Sequence, residues 1–465
     1  MSLELWEHQK KAIEQGSVSK DYGLFWDPGT GKTRTIIEIL RNHYNAKQTI
    51  SRTYIFAPLV VLGNWKAEIR KYSKIPEEAI CILSGGTKEK VQALKENTKA
   101  KIFITNYDSL IKDEFVEEML ARPAKICVFD EVHRLKNTTA KRTKSAMKIA
   151  DSAERRFIMT GTPILRSYLD IFGQFRVLDS GETFGRNFFI FRAEYFWDKN
   201  AGMNKLKYFP NWVPRADAEA RLQQKIQDKV SIAKKEECLD LPPLIEKELI
   251  VEMSQQQKRV YDQMKQDFIA YLNDSACVAT LAITKALRLQ QIVSGFMQTD
   301  KGETIFFDNC PRMVALEDCL EDLLENDQKI IIWAVFKQNY FMLQKVCEKL
   351  KVNYSMLTGD IQDKEKQISR FRTEKDVPIM IAHPGAGGIG VNLIEAAYSI
   401  VYSRGFSFEF EEQSKARNYR GGSEMHNKIT RLHLITENSI DRLIHTALAK
   451  KLDLSNKILT LKDYL

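Results

Sequence analysis

The chain has no close cysteine pair. Its seven cysteines, Cys81, Cys127, Cys238, Cys277, Cys310, Cys319 and Cys347, form no CxxC spacing. That argues against a zinc site and against a disulfide framework, and predicts reduced, mostly buried thiols in a cytosolic-type compartment. No apolar run approaches the length of a membrane span. The opening Met1-Ser2-Leu3-Glu4 lacks a basic-then-apolar export pattern, so a cytoplasmic location is expected. Internal repeats and low-complexity segments are absent. So is any block of like charge: a formal charge of +9 is spread over scattered lysines and arginines. Such a balance permits a nucleic-acid partner without demanding one. What is present is an ordinary soluble composition, 44% hydrophobic, over 465 residues. That length is too great for one core and predicts two or three domains.

The stretch that organises the chain is Trp26-Asp27-Pro28-Gly29-Thr30-Gly31-Lys32-Thr33. An apolar run, Leu24-Phe25-Trp26, reads as a buried strand before it, and Thr35 to Leu40 has helical apolar spacing after it. Strand, glycine loop and helix start make an anion cradle, with backbone N–H groups and the helix dipole facing a phosphate. Gly29 and Gly31 let the backbone close on phosphate oxygens. Lys32 would neutralise the outer phosphates, and the Thr33 hydroxyl would ligate Mg²⁺. Trp26 stands where the full phosphate-loop pattern has its first glycine, leaving the shorter GxGKT core. Upstream, Leu5 to Ile13 reads as a helix. Its Gln9 could read an adenine edge through one planar amide, although a lone helical Gln also suits a solvated surface.

Further apolar strands are expected at Tyr54–Ala57, before Pro58, and at Cys81–Leu83, Ile102–Thr105 and Phe157–Thr160. Alternation with helices predicts a mostly parallel, doubly wound sheet. The run Ile126-Cys127-Val128-Phe129 ends in Asp130-Glu131. At the carboxyl end of a strand, Asp130 could hold Mg²⁺ through water while Glu131 orients or deprotonates an attacking water. The same pair would also suit the start of a helix. Thr160 and Thr162, in Thr160-Gly161-Thr162-Pro163, could relay the phosphate state or simply form a turn.

Leu241-Pro242-Pro243 marks a break, and Ser254 with Gln257 fits a capping box. A helical stripe of Val260, Tyr261, Met264, Phe268 and Leu272 follows. The strand–helix alternation then repeats, with strands at Lys329–Ala334, Tyr354–Leu357, Ile379–Ala382 and Val401–Tyr402. The glycines of 385–390 suit either a close phosphate approach or a loop. Arg417 and Arg420, placed on a helix, would share a face. Two guanidiniums suit a triphosphate, or a solvated face.

Gln9, DPGTGKT, APLVVLGNW, TNYDSL, DEVH and TGTP, in this order, resemble the first motor domain of superfamily-two helicases. The spacing around Asn64-Trp65 and the run Arg134-Leu135-Lys136-Asn137 lean toward the Swi/Snf-type translocases of double-stranded DNA. The segment Gln413 to Gly422 resembles the family's last motif, with Ala416 and Tyr419 where an acidic residue and a histidine are usual. Arg166 likewise replaces the usual Asn after TGTP. The resemblance implies an α/β fold of two RecA-like, doubly wound parallel-sheet lobes joined by a helical connector: residues 1–230, 231–305 and 306–465. It implies a DNA-dependent ATPase using ATP and Mg, in a bacterial or phage-infected cell. The nucleotide would meet Gln9, residues 27–33, Gly388 and Gln413, with Arg417 and Arg420 as fingers. Contacts to DNA phosphates would come from Pro58, Asn64, Trp65, Thr105, Thr358, Gly359 and Gly387. The two competing readings are a strand-separating helicase and a nucleotide-gated DNA clamp with little turnover.

Overall fold

The structure, a computed structural model, describes residues 4–161, 168–202, 210–238, 241–273, 279–299, 301–386 and 391–449. The chain divides into two compact units, Met1–Leu239 and Asp240–Leu465. Among the described residues no helix is long and apolar enough to cross a membrane.

The first unit is built on seven strands: β1 (Asp21–Trp26), β2 (Thr53–Ala57), β3 (Ile80–Ile82), β4 (Ile102–Asn106), β5 (Ile126–Asp130), β6 (Arg155–Thr160) and, after a short antiparallel hairpin of β7 (Phe196–Asp198) and β8 (Trp212–Pro214), β9 (Val230–Ala233). The order is β3-β4-β2-β5-β6-β1-β9, and every pairing is parallel. A parallel sheet covered on both faces needs strands apolar throughout, which is why β2, β4 and β5 are fully buried. Helix α1 (Glu7–Val18) packs on α2 (Lys32–Lys47), and α3 (Leu62–Tyr72) follows β2. The expected strands of this half are present. The aromatic stretch after Phe184 packs into the same core: Phe184, Phe191, Tyr195 and Phe196 are all buried there.

The second unit carries β10 (Leu244–Val251), a hairpin of β11 (Phe296–Gln298) and β12 (Thr304–Phe306), then β13 (Ile330–Trp333), β14 (Tyr354–Leu357), β15 (Ile379–Ala382), β16 (Tyr398–Val401) and β17 (Ile429–Thr436). Six of these form a parallel sheet in the order β10-β17-β16-β13-β15-β14. The fold is therefore two parallel-sheet α/β units. The capping box is present: the Gln257 N–H donates to Ser254 Oγ at 3.2 Å, and the Ser254 N–H to Gln257 Oε1 at 3.2 Å. Tyr261 and Phe268 of the expected stripe are core residues, with Val260 and Met264 packed beside them; the side chain of Leu272 lies outside the described residues.

A buried ion pair fastens this unit. Arg312, 1% exposed, pairs with Asp441 and donates to the Tyr402 carbonyl at 2.8 Å and to Thr436 Oγ1 at 2.6 Å. Removing one member of a buried pair strands the other charge. Asp441→Ala is expected to cost the second unit about 3–5 kcal/mol, read as a lower denaturation midpoint for that unit.

Candidate nucleotide-binding site

The glycine loop joins β1 to α2. Gly29 and Gly31 have φ of +94° and +83°, a conformation that L side chains rarely adopt. Thr30 is fully buried and its hydroxyl donates to the Asp27 carbonyl at 2.7 Å, which tightens the turn. Pro28 packs its ring near Gly161. The Lys32 ammonium lies over the loop, donating to the carbonyls of Trp26 at 2.7 Å and Asp27 at 3.2 Å. Thr33 is half-buried in the first turn of α2.

Segment 230–238 braces this loop, a role that sequence reasoning missed. The Trp26 indole N–H donates to Ser231 Oγ at 2.9 Å, so the residue in the first-glycine position serves as a buried strut. The Asp27 carboxylate accepts the Lys235 backbone N–H at 3.0 Å. Gln9 is buried rather than surface-exposed, and both ends of its amide are engaged. Its Oε1 accepts the Trp6 N–H at 2.9 Å and its Nε2 donates to the Gly31 carbonyl at 3.3 Å. A side chain at position 31 would run into that amide. Gly31→Ala should therefore weaken nucleotide binding and cost about 1–2 kcal/mol, checked by ATP titration and chemical denaturation. His8 was also missed: its Nε2–H donates to the Thr30 carbonyl at 2.9 Å, and its ring lies between Trp6 and Trp26. The two aromatic rings just before Gln9, Trp6 and His8, were the available signal.

Asp130 ends β5, and Glu131 follows with φ of +52°, a strained backbone for a non-glycine residue. Both are 5% exposed. Burial and the charge of Glu131 push the Asp130 carboxyl upward, against a hydrogen bond from Trp65 and the charge of Lys32. Burial also acts on Glu131, but His133, Lys32 and Arg134 outweigh it and hold this carboxyl low. The lysine of the loop thus acts on both carboxylates. His133 Nδ1 is 2.9 Å from Thr160 Oγ1 and 3.1 Å from Glu131 Oε2, and the Thr160 hydroxyl donates to Glu131 at 3.3 Å. Of the two relay threonines, Thr160 is joined to the carboxylate; Thr162 and Arg166 lie outside the described residues.

Several expected nucleic-acid contacts have buried side chains. Trp65 is 1% exposed, and its indole N–H donates to Asp130 Oδ2 at 3.0 Å. Thr105 is fully buried against Ser109 Oγ, and Pro58 and Thr358 are buried too. Pro58, Thr105 and Thr358 lie at or just past the ends of β2, β4 and β14, and Trp65 lies within α3; all four side chains are buried. Asn64 and Gly359 are exposed. Gly387 and Gly388 lie outside the described residues.

In the second unit, helix Phe408–Lys415 ends before the arginines. Arg417 and Arg420 lie in the turn that follows, not on a helical face. Arg417 is buried and donates to the Val391 carbonyl at 3.4 Å; Arg420 is half-buried. Gln413 donates to Glu409 at 2.9 Å within the helix. Arg431 of β17 pairs with Glu411 at 2.9 Å and donates to Ser414 Oγ at 2.7 Å, anchoring that helix to the sheet. Burial raises the Glu411 carboxyl, but Arg431 and Arg404 hold it at about 2.

Comparison with known proteins adds the family. Residues 313–422 match the helicase conserved C-terminal domain. A protein of Mycoplasma genitalium described as an uncharacterized ATP-dependent helicase is 25% identical over 97% of this chain and 42% of its own length. Protein p41 of Acyrthosiphon pisum secondary endosymbiont phage 1 is 24% identical over 90% of this chain and 89% of its own. A Sulfolobus solfataricus SWI2/SNF2 ATPase core, solved in complex with dsDNA, is 20% identical with a TM-score of 0.45, covering 100% of this chain and 96% of that one. The chain thus spans under half of the Mycoplasma relative and most of the phage one. Residues 17–300, more than half of the chain, match the SNF2-related domain, and the chain belongs to that family.

Proposed function

We propose that the protein is an ATP-driven motor that hydrolyses ATP to move along double-stranded DNA. The observation that carries the reading is the glycine loop, with Lys32 over it, whose charge acts on the buried carboxylates Asp130 and Glu131. We read it as a phosphate cradle with a metal-holding carboxylate and a water-orienting one. Backbone N–H groups of residues 29–33 and the Lys32 ammonium grip the phosphates. His133 and Thr160 hold Glu131 where it can orient water against the terminal phosphate. Arg417 and Arg420 are proposed to add positive charge to the same triphosphate as its charge spreads.

The residues suit magnesium. Two adjacent buried carboxylates, one of them pushed upward by burial and by the charge of the other, form a site whose negative charge a divalent cation would relieve. Among the described residues no three His, Cys, Asp or Glu side chains gather to hold a metal. The fitting donors are Thr33 and Asp130, with phosphate oxygens and water completing the set. When bound, the ion screens the phosphate charge.

DNA is proposed to be held by its phosphates, which fix position without reading sequence. Exposed Asn64 and Gly359 are the remaining described candidates for this contact. Third-strand displacement from a duplex tests movement. The expected result is ATP-dependent release of the third strand while the duplex stays paired, weakening steeply as salt rises. Separation of the duplex strands instead would favour a helicase. ATP turnover with neither outcome would overturn translocation.

A further inference from the structure

Trp65 belongs to a stretch that the resemblance assigned to DNA, yet its indole is used inside the protein. It sits one turn into α3, 1% exposed, and its N–H is spent on Asp130 Oδ2 at 3.0 Å. A second buried donor holds the same residue from its main chain: the Tyr107 hydroxyl donates to the Asp130 carbonyl at 2.6 Å. Tyr107 comes from the segment after β4, and its ring packs near Phe56, which stacks on Phe129 at 4.8 Å. Asp130 is therefore held by two different segments of the first unit, by Trp65 at its carboxylate and by Tyr107 at its main-chain carbonyl. The Glu131 backbone also hydrogen-bonds this carboxylate; donors fixed in place set its rotation, and its remaining lone pairs can face a ligand.

We propose that Trp65 is a positioning residue that aims the Asp130 carboxylate at the magnesium of bound MgATP. The inference deepens the proposed function and rests on it. A core tryptophan needs only volume and some partner for its N–H. Here the partner is the one carboxylate assigned to the metal, so the position of α3 sets how Asp130 points. The exposed Gly63 and Asn64 immediately precede Trp65 on the same helix. A shift of that turn would reach the carboxylate through one hydrogen bond.

The test removes the donor and keeps the ring. Trp65→Phe is compared with the full chain in two measurements: binding of a fluorescent ATP analogue with and without magnesium, and steady-state ATP hydrolysis. Losing an orienting partner of this kind costs about 10–100-fold in metal affinity or activity. The expected result is unchanged magnesium-free nucleotide binding, at least about a tenfold loss in the gain from magnesium, and a kcat lower by a similar factor. Should Trp65→Phe fail to fold, benzothienylalanine at position 65 keeps the indole shape and deletes only the N–H. Full magnesium enhancement with wild-type kcat in a folded variant overturns the positioning role and leaves the motor reading intact. A wild-type chain that binds no ATP overturns both. A purely packing role would lower stability without moving the magnesium dependence.

Discussion

Arg420→Ala is expected to stop ATP turnover while leaving ATP binding in place. Arginines that meet a transferring phosphoryl group accelerate the reaction roughly 10³–10⁵-fold, which corresponds to about 4–7 kcal/mol of barrier. A finger interaction is made mainly in the transition state, so its loss would fall on kcat rather than on nucleotide affinity. Arg420 is the cleaner of the two arginines to test. The turn that carries it is anchored by other groups: Asn418 Nδ2 donates to the Ala396 carbonyl at 3.1 Å, and Arg431 holds the preceding helix through Glu411 and Ser414. Truncating Arg420 leaves those anchors intact. Arg417 is more deeply buried and its guanidinium donates to the Val391 carbonyl at 3.4 Å, so its truncation would disturb folding as well. Titration with a fluorescent ATP analogue beside phosphate-release kinetics reads the difference. Wild-type turnover in a folded Arg420→Ala chain would remove the finger role.

Lys32→Ala should abolish hydrolysis and also weaken ATP binding. In the proposed site the ammonium would meet phosphate charge in both the ground and transition states. By analogy with single preorganised donors, the loss in kcat is at least about 10²–10³-fold. The fold should tolerate the change. Lys32 caps the carbonyls of Trp26 and Asp27 on a half-exposed loop, where water can replace it. A melting midpoint near that of the wild type, with loss of ATP-induced stabilisation, is the accompanying result.

Much of the fold was legible because parallel strands buried on both faces read as unbroken apolar runs. Ile126 to Phe129, Ile330 to Trp333 and Ile379 to Ala382 are of this kind, and each is fully buried. The strands that were missed break that rule. β9 carries Ser231 and an exposed Ile232 at the sheet's edge, and β10 exposes Glu246 and Lys247 at the edge of the second. β17 holds Arg431 and His433 inside, each paired with a polar partner: Glu411 for the first, Arg404 for the second. Periodicity cannot see such partners, because they are distant in sequence.

The glycine loop and the Asp130-Glu131 pair were legible because their chemistry depends on short, ordered motifs. The facing of Trp65 and Thr105 was not. A strand or helix end fixes where a residue lies, while the choice between core and surface depends on what packs above it. Arg417 and Arg420 show the same limit: the spacing suited a helix, but the helix stops at Lys415.

The central claim is that ATP hydrolysis by this chain is driven by duplex DNA. Phosphate release, measured at low salt with and without a blunt duplex and with Lys32→Ala as the blank, tests it most directly. The account predicts a slow rate from the wild type alone, a much faster rate with duplex, and none from the variant. An equal rate with and without duplex would contradict it.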